Sequence, residues 1–238
     1  MPAHNEEECL RKVVEDICVR LEKEKIPAEI VIVNDNSTDS TPGVIDSLSK
    51  KYGIVRRVDN TPPSGFGRAI RKGLDNVTGD AVAIVMGDGS DDAGDIVNYY
   101  RKLCEGYDCV FGSRFIKGGI VKDYPFIKLF FNRLGNYFIK YLFGVKCNDI
   151  TNAFKAYRRN VIEAVKPLVS NHFNITVEIP LKAFIRGYSY TVVPISWYGR
   201  ASGISKYNLR EVQRKYDFSI LYVWLEKSLL KNEFKGKK

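Results

Sequence analysis

Side chains that bind transition metals or form disulfide bridges are scarce in this sequence. Its 238 residues include five cysteines and two histidines. The cysteines are odd in number, contain no C-x-x-C pair and form no cluster with histidine at metal-ligand spacing. We therefore expect no disulfide framework and no zinc site, and we interpret the chain as a reduced protein that faces the cytosol.

Long apolar runs and several catalytic motifs are missing as well. No segment approaches the roughly 18 to 20 apolar residues of a membrane span, and the polar, acidic N-terminal segment does not resemble a signal peptide. The sequence has no P-loop, no H-E-x-x-H, no G-x-S-x-G, and no G-x-G-x-x-G after its first visible strand. These absences argue against a membrane-spanning protein and against a dinucleotide-dependent dehydrogenase.

The charged residues are distributed unevenly along the chain. The formal net charge is +9, but residues 1–100 contain 12 basic and 18 acidic side chains, whereas residues 101–238 contain 25 and 10. A uniformly basic coat for nucleic acid would not have this distribution, so we expect no nucleic-acid partner. The acidic half suits a bound cation, and the basic half suits phosphate groups.

Strand-like and helix-like patterns alternate over the first half of the chain. Short apolar runs predict strands, and apolar positions at three- and four-residue steps predict helices, the first of them with Asn5 as its N-cap. The alternation indicates a parallel sheet with helical crossovers. We expect helices over 7–25, 41–52, from near residue 68 and over 94–104, and strands over 29–33, 54–58, 81–86 and 109–112.

A turn rich in carboxylates follows the strand over 81–86. Asp88, Asp91 and Asp92 fall within five consecutive positions of this turn and would repel one another without a cation. Oxygen ligands suit Mg²⁺ or Mn²⁺, which can bridge a diphosphate and neutralise the charge of a leaving group. The alternative is a solvated acidic turn that caps the following helix.

Two further loops contain candidate binding residues. Asp35 follows a buried strand and can hydrogen-bond a base or a ribose, whereas Ser37 and Asp39 are expected to form an Asx turn that caps the next helix. The glycine-containing loop that ends at Gly67, with Arg68 opening a helix, can present backbone N–H groups and a cation to phosphate. A lone G-x-G is also typical of ordinary turns.

Eight short segments are spread over nearly the whole chain. They are P-A-H-N-E-E (2–7), V-N-D-N-S-T-D (33–39), M-G-D-G-S-D-D (86–92), G-S-R-F (112–115), N-R (132–133), D-I-T-N-A-F-K (149–155), Glu178 and R-A-S-G-I-S-K (200–206). In this order and spacing they resemble glycosyltransferase family 2, and the later ones resemble its dolichyl-phosphate mannose synthase branch.

The resemblance implies an α/β protein of GT-A fold, with a mostly parallel nucleotide-binding sheet flanked by helices. It also implies a nucleotide-sugar donor, a divalent cation and inversion at the sugar carbon. Carried over by position, the nucleoside would be held by Pro2, His4, Glu6 and Asp35. The metal-binding acidic motif would be Asp88 and Asp91, the phosphates would be bound by Arg114, Arg133, Arg200 and Lys206, and Glu178 would lie near the sugar.

The sequence departs from the family pattern at several places, including Asn34 in place of the first of two paired aspartates and His4 where an aromatic is commoner. The usual D-x-D motif is G-D-G at 87–89, which shifts the ligands to Asp88 and the Asp91/Asp92 pair. The family also has an apolar strand before its P-A-x-N-E motif, whereas here the first helical pattern begins almost at residue 1. We therefore expect either that the sheet lacks this strand or that the sequence begins late.

Large aromatic and basic side chains are interleaved over 124–143. Their spacing suits amphipathic helices that lie in the headgroup region of a membrane, and the alternative is a helix packed on the sheet. A glycosyltransferase domain is expected over 1–210, followed over 211–238 by another amphipathic helix and a basic tail that could attach to anionic lipid.

Together, these features predict a peripheral enzyme at the cytoplasmic face of a membrane. It would transfer a hexose, with mannose from GDP-mannose as the first candidate, to a polyprenyl (dolichyl) phosphate. That acceptor is already ionised, whereas a hydroxyl acceptor would need a base, for which Asp92 and Glu178 are candidates. Two alternatives stay open: a family 2 enzyme with a non-lipid saccharide acceptor, and a catalytically silent, membrane-associated subunit with this fold.

Overall fold

The structure is a computed structural model that describes residues 1–199 and 209–229. Strands and helices alternate through most of it. In chain order the elements are β1 (Pro2–Ala3), α1 (Leu10–Lys23), β2 (Ile30–Asn34), α2 (Thr41–Lys51), β3 (Val55–Asp59), α3 (Phe66–Leu74), β4 (Ala81–Ile84), α4 (Ala93–Cys104), β5 (Cys109–Ser113), β6 (Ile120–Lys122), α5 (Phe126–Phe143), β7 (Lys155–Arg158), α6 (Arg159–Ala164), α7 (Ile175–Ile185), β8 (Tyr190–Pro194), β9 (Ser196–Tyr198) and α8 (Leu209–Leu229).

The strands form a mostly parallel arrangement, as expected. One sheet has the order β1-β2-β3, a second has the order β4-β7-β5-β8, and β6 pairs with β9. Strand β7 is the exception, because it lies between β4 and β5 and is antiparallel to both. It was not predicted, since its sequence K-A-Y-R shows neither alternation nor an apolar run.

A two-residue strand, β1, precedes the first helix. It consists of residues of the P-A-x-N-E motif itself, so it is not the apolar strand that the family has before that motif. Pro2 and Ala3 pair in parallel with Val33 and Asn34 of β2. The amide of Val33 donates to Met1 O, and the amide of Asp35 donates to Ala3 O, both at 2.8 Å. Two residues are too few to show a periodicity, which is why the sequence pattern did not reveal this strand.

The start of α1 also differs from the prediction. Asn5 is not its N-cap, because Asn5 has a left-handed φ of 55° and its side chain accepts instead from the amide of Thr38, at 2.8 Å. The helix begins at Leu10, with Cys9 as its N-cap. The expected Asx turn is present, since Asp39 Oδ1 accepts from the amide of Thr41 at the start of α2.

Two large apolar clusters form most of the core, and a third, small one lies between β2 and α3. The first joins α1, α2 and α4 to β2 and the central strands, and the second joins β4, β5 and β7 to α5, α6 and α7. Helix α8 belongs to the second cluster through the buried side chains of Ile220 and Val223. The expected domain boundary at residue 210 therefore falls within the first turn of a helix that packs on this core.

Helix α5 has one face that packs on the core and another that is apolar and exposed. Asn136, Ile139 and Phe143 are buried. The exposed face, called the α5 apolar face below, consists of side chains that are each at least half exposed: Phe126, Ile127, Phe130, Phe131, Leu134, Tyr137, Phe138 and Tyr141. A single helix thus takes the place of the several expected over 124–143. None of the helices within the described ranges is long and apolar enough to cross a membrane.

Glu29 links the first sheet to the turn before β4. Its carboxylate accepts from the amide and the hydroxyl of Thr78 and forms an ion pair with Arg56 at 2.8 Å. Burial by itself raises the pKa of Glu29, but the bonds from Arg56 and Thr78 outweigh it and lower the pKa to about 2. The ionised form is therefore favoured by folding.

We expect Glu29→Gln to lower the free energy of unfolding by about 1 to 2 kcal/mol at pH 7. Because the folded pKa is depressed, this stabilisation is complete above the unfolded value near 4.5 and is lost as the pH falls towards 2. Urea denaturation between pH 2.5 and 7 measures it. The exposed Glu22→Gln is the control, and an equal effect of both variants at pH 7 would contradict the prediction.

Gly67, at the start of α3, packs directly against the chain at residues 170–172. An added Cβ would lie 2.4 Å from Ser170 O and 2.7 Å from Asn171 C, so the backbone would have to move. We expect Gly67→Ala to destabilise the fold by about 2 to 3 kcal/mol, measured by chemical denaturation.

Gly43→Ala is the matched control for this substitution. Gly43 lies in α2, and an added Cβ there would meet nothing within 4 Å. Because alanine favours a helix, this control should be neutral or stabilising by up to about 1 kcal/mol. Equal stabilities of the two variants would show that the close packing at Gly67 is not required.

Candidate active site

The carboxyl ends of β1 and β2 bring together the residues at the predicted nucleoside end. His4 Nδ1 lies 2.6 Å from Asp35 O, and Pro2 is buried beside them in β1. The parallel pairing of the two strands makes both chains end at the same sheet edge, where such sheets bind ligands. Of the residues expected here, the structure gathers Pro2, His4 and Asp35 directly.

The carboxylate of Asp35 is buried and hydrogen-bonded on both oxygens. Oδ1 accepts from Asn60 Nδ2, and Oδ2 accepts from the amide of Gly65, both at 2.8 Å. Each oxygen of an ionised carboxylate can accept about two hydrogen bonds, so acceptor capacity remains for a ligand. Asp35 thereby ties the end of β2 to the loop before α3.

Glu6 and Arg68 flank this end of the sheet. The amide of Glu6 donates to Thr41 Oγ1 at 2.9 Å, and its carbonyl accepts from the amide of Leu10, so Glu6 joins the starts of α1 and α2. Arg68 is partly exposed in the first turn of α3, with its aliphatic stem against Gly65. Its guanidinium forms no hydrogen bond or ion pair within the described part of the chain.

The acidic turn after β4 lies beside β1. An added Cβ at Gly87 would be 3.2 Å from Pro2 O, which shows how closely the two segments approach. Asp88 is buried, and its Oδ1 accepts from the amide and the hydroxyl of Ser90, at 3.1 and 2.7 Å. These bonds close the turn, and Gly89 takes the left-handed conformation within it, with φ 75°.

Asp91 is the second carboxylate of this turn. Its Oδ2 accepts from the amide of Met86 at 3.1 Å. Burial and then the nearby charge of Asp88 raise the pKa of Asp91 to about 7, while the Met86 amide and Arg114 act in the opposite direction. The repulsion between Asp88 and Asp91 is the kind that a bound cation relieves.

Asp92 caps the following helix, which is the alternative role that the sequence allowed for this turn. Its side chain accepts from the amide of Gly94 and caps α4. Among the described residues, no three His, Cys, Asp or Glu side chains are arranged to hold a metal ion. The expected ligand set of three carboxylates is therefore not formed, because one of them is used as a helix cap.

The two remaining carboxylates still fit a divalent cation. Mg²⁺ commonly takes only one or two protein carboxylates and completes its shell with water and substrate phosphates. Asp88 and Asp91 supply hard oxygen donors in one turn, and their mutual repulsion favours a cation there. They suit an ion that is held together with a diphosphate better than one that is enclosed by protein ligands.

Arg114 forms a buried ion pair behind this turn. Nε and Nη2 donate to the two oxygens of Asp149, at 2.8 and 2.7 Å, and Asp149 also accepts from the amide of Arg114. Burial by itself lowers the pKa of Arg114, but the bonds to Asp149 more than offset it and raise the pKa above its ordinary value. Nη1 is not used by this pair.

The structure brings Arg133 to the same aromatic ring as Arg114. The guanidinium carbons of Arg133 and Arg114 lie 4.2 and 5.2 Å from the centroid of Phe115. Arg133, on α5, also donates to Asn148 O at 3.0 Å and to the Tyr137 hydroxyl at 2.8 Å. Two arginines thus lie over one aromatic ring, and the charge of one of them, Arg114, acts on Asp91.

Strand β9 also borders the acidic turn. The amide of Tyr198 donates to Ser90 O at 3.0 Å, and Trp197 pairs with Asp91. The ring of Trp197 lies 4.9 Å from that of Tyr124 and 5.8 Å from the Arg114 guanidinium. The expected residues Arg200 and Lys206 follow β9 and lie outside the described residues.

Glu178 does not face this site. It is fully buried in α7, its two oxygens accept from the amides of Val169 and Ser170 at 2.9 and 2.8 Å, and Lys182 pairs with it at 3.0 Å. These bonds use the carboxylate to hold the chain before α7. The structure therefore gives no support for Glu178 beside the sugar or as a base.

Sequence reasoning did not assign a role to several buried polar residues. Asp149 is fully buried against Arg114, and Lys155 is buried in β7, where its ammonium donates to Asn152 O. Burial lowers the pKa of Lys155 to about 8. Both residues lie within the D-I-T-N-A-F-K segment, so the signal was present in the motif, but the partner Arg114 is 35 positions from Asp149.

Comparison with known proteins identifies relatives for most of the chain. A relative named polyprenol monophosphomannose synthase, from Mycolicibacterium smegmatis, is 30% identical over 224 residues, which cover 90% of this chain and 83% of the relative. A relative named dolichol-phosphate mannosyltransferase, from Pyrococcus furiosus, is 31% identical over 210 residues, which cover 87% of this chain and 57% of the relative.

The fold also resembles solved structures. Glucosyl-3-phosphoglycerate synthase from Mycobacterium tuberculosis, crystallised with Mn²⁺ and uridine-diphosphate-glucose, superposes with a TM-score of 0.69 at 15% sequence identity, covering 95% of this chain and 76% of that one. At this identity the likeness concerns the fold, which is therefore the GT-A fold. Residues 1–166 match the family described as Glycosyl transferase family 2. The chain therefore belongs to glycosyl transferase family 2.

Proposed function

We propose that this protein is a metal-dependent, inverting glycosyltransferase that transfers a hexose, mannose from GDP-mannose, to a polyprenyl phosphate such as dolichyl phosphate. One observation carries the proposal. The acidic turn with Asp88 and Asp91 contacts both the Pro2 end of the sheet and β9, which lies beside Arg114. The names of the two mannosyltransferase relatives support the choice of sugar and acceptor.

The nucleoside would bind at the Pro2, His4 and Asp35 end. Asp35 has acceptor capacity for a ribose hydroxyl or a base amide, and its bond to Gly65 holds the adjacent loop in place. Arg68, which has no protein partner within the described ranges, would then offer its cation to the donor phosphates. Glu6 supports this end by joining α1 to α2.

Asp88 and Asp91 would hold Mg²⁺ or Mn²⁺ together with the donor diphosphate. Bound there, the ion would neutralise the negative charge that develops on the departing nucleoside diphosphate. The protein's own part is to keep both carboxylates in one turn, through the bonds from Ser90 and Met86. A fold relative crystallised with Mn²⁺ and a nucleotide sugar is consistent with this arrangement.

The acceptor phosphate would bind on the arginine side. Bringing two anions together requires fixed positive charge, and Arg114 and Arg133 supply it around Phe115. Arg114 retains Nη1 as a donor, because its bond to Asp149 uses Nε and Nη2. By resemblance, Arg200 and Lys206 would add two further cations.

The arrangement of carboxylates favours an ionised acceptor over a hydroxyl acceptor. A hydroxyl would need a general base within hydrogen-bond reach. The two candidates are otherwise engaged, since Glu178 holds the chain before α7 and Asp92 caps α4. A phosphate monoester needs no such base, so a polyprenyl phosphate fits this site better than a saccharide.

The α5 apolar face would lie on the membrane that contains the acceptor. Tyr141 is 91% exposed and Phe126 is 79% exposed, which is costly in water and favourable in the headgroup region. Arg133, on the same helix, reaches the arginine side of the site. We therefore propose a peripheral enzyme at the cytoplasmic face of the membrane.

The transfer reaction itself is the first test. Full-length protein, MnCl₂, radiolabelled GDP-mannose and dolichyl phosphate in detergent should yield label that partitions into organic solvent. Because Asp88→Asn removes one charge from the acidic turn, it should lower the initial rate by about 100-fold or more.

Asp16→Asn is the matched control for charge, because Asp16 is exposed on α1 and forms no hydrogen bond or ion pair with the described residues. It should retain the wild-type rate. Parallel reactions with UDP-glucose and with a soluble mannose disaccharide acceptor test the sugar and the acceptor. The proposal fails if no donor yields lipid-soluble label with wild-type protein, or if the soluble saccharide is the better acceptor.

The α5 apolar face has its own test. The double substitution Phe130→Gln and Phe138→Gln removes two exposed aromatic side chains without changing the charge. We expect it to weaken binding to phosphatidylcholine–phosphatidylglycerol vesicles by about 10-fold or more in co-sedimentation.

Val19→Gln is the control, since Val19 is 62% exposed on α1, outside this face. This control should bind vesicles like the wild-type protein. In detergent, the control and the double variant should transfer label equally well. Vesicle binding that survives the double substitution would refute contact through α5.

A further inference from the structure

Two helices of the second half hold the same segment of the chain, residues 168–174. From α7, Glu178 accepts from the amides of Val169 and Ser170, at 2.9 and 2.8 Å. From α8, Ser219 Oγ lies 3.0 Å from Ser170 Oγ and accepts from Asn174 Nδ2 at 2.7 Å. The position of the 168–174 segment is therefore set by side chains of α7 and α8.

These polar contacts are buried. Glu178 and Ser219 have no exposed surface, Ser170 is 1% exposed, and Asn174 is 5% exposed. Lys182 neutralises the charge of Glu178 and itself donates to Pro167 O at 2.5 Å. Because a buried donor or acceptor without a partner is costly, each of these bonds restrains the segment strongly.

The 168–174 segment also packs against the loop before α3 and the first turn of that helix. The amide of Gly67 donates to Asn171 O at 3.0 Å, and the rings of Phe66 and Phe173 stack at 4.3 Å. An added Cβ at Gly65 would lie 2.6 Å from Asn171 O. With so little space between them, a shift of the segment has to move the loop.

Arg71, on α3, forms two further hydrogen bonds to the 168–174 segment. Its Nη1 donates to Leu168 O at 2.7 Å, and its Nη2 donates to Asn171 Oδ1 at 2.5 Å. The loop in turn reaches the donor end, where the amide of Gly65 donates to Asp35 at 2.8 Å. A continuous series of contacts thus runs from Ser219 on α8 to Asp35, the residue that follows β2.

We propose that Ser219 and Glu178 are positioning residues for the donor site. Through the 168–174 segment they set the place of the Gly65–Gly67 backbone beside Asp35, although neither touches the donor. The inference rests on the proposed function, in which the donor binds at Asp35. It gives α8, in the second half of the chain, an effect on donor affinity.

Ser219→Ala tests the proposal in the full-length protein. The apolar packing of α8 through Ile220 and Val223 stays intact, whereas Ser170 and Asn174 lose a partner. We expect the Kd for GDP with MnCl₂, measured by calorimetry, and the KM for GDP-mannose to rise about 5- to 10-fold. The kcat and the KM for dolichyl phosphate should stay within about twofold of wild type.

Ser228→Ala is the matched control on the same helix. Its hydroxyl is exposed and donates to Trp224 O at 2.9 Å, so its loss should leave the GDP affinity unchanged. Arg71→Gln is the second variant, on the partly exposed side of the contact, and it decides the question if Ser219→Ala does not fold. It should raise the same two constants.

Different outcomes separate the two proposals. If the wild-type protein binds neither GDP nor UDP with MnCl₂, the proposed function fails. If the wild type binds GDP and folded Ser219→Ala and Arg71→Gln bind it equally well, the positioning role fails. A fall in kcat with an unchanged donor KM also overturns it, because a shifted donor loop must act on donor binding.

Discussion

The buried ion pair between Arg114 and Asp149 is the interaction on which the rest of the site depends. It joins the end of β5 to the turn before β7, and it puts a fixed positive charge behind Asp91. Phe115, Tyr124 and Trp197 surround the guanidinium, so β9 and the segments before and after β6 lie around the same pair. Removing either partner would leave an uncompensated buried charge, which costs about 3 to 5 kcal/mol.

This pair also explains how one small region can hold opposite charges. Asp88 and Asp91 repel each other in the acidic turn, and Arg114 partly offsets that repulsion from behind. At the end of β2, the carboxylate of Asp35 accepts hydrogen bonds from Asn60 and from the Gly65 amide. In the proposed function, the acidic turn would lie between the nucleoside at the Asp35 end and the acceptor phosphate at Arg114.

Much of the first half could be predicted from local patterns. The strands near Ile32 and Ala83 and the helices that follow them appear where apolar periodicity indicates them. Strand β7 and the two-residue β1 could not be predicted this way, because each exists only through pairing with strands far along the chain. The roles of Asp92 and Asp91 differ in predictability for the same reason. Asp92 caps the helix that directly follows it, whereas Asp91 lies beside Arg114 and Trp197, which are distant in the sequence.

The sequence by itself determined the family, the fold class and which polar loops follow the buried strands, because motifs and periodicity are local in the chain. Only the tertiary structure decided what each polar side chain does. The family resemblance predicted that Glu178 lies near the sugar. Its carboxylate instead accepts hydrogen bonds from backbone amides of the segment that packs against the Gly65 loop. Hydrogen-bond partners are chosen by proximity in space, and a buried carboxylate takes the nearest unpaired donors wherever the chain brings them.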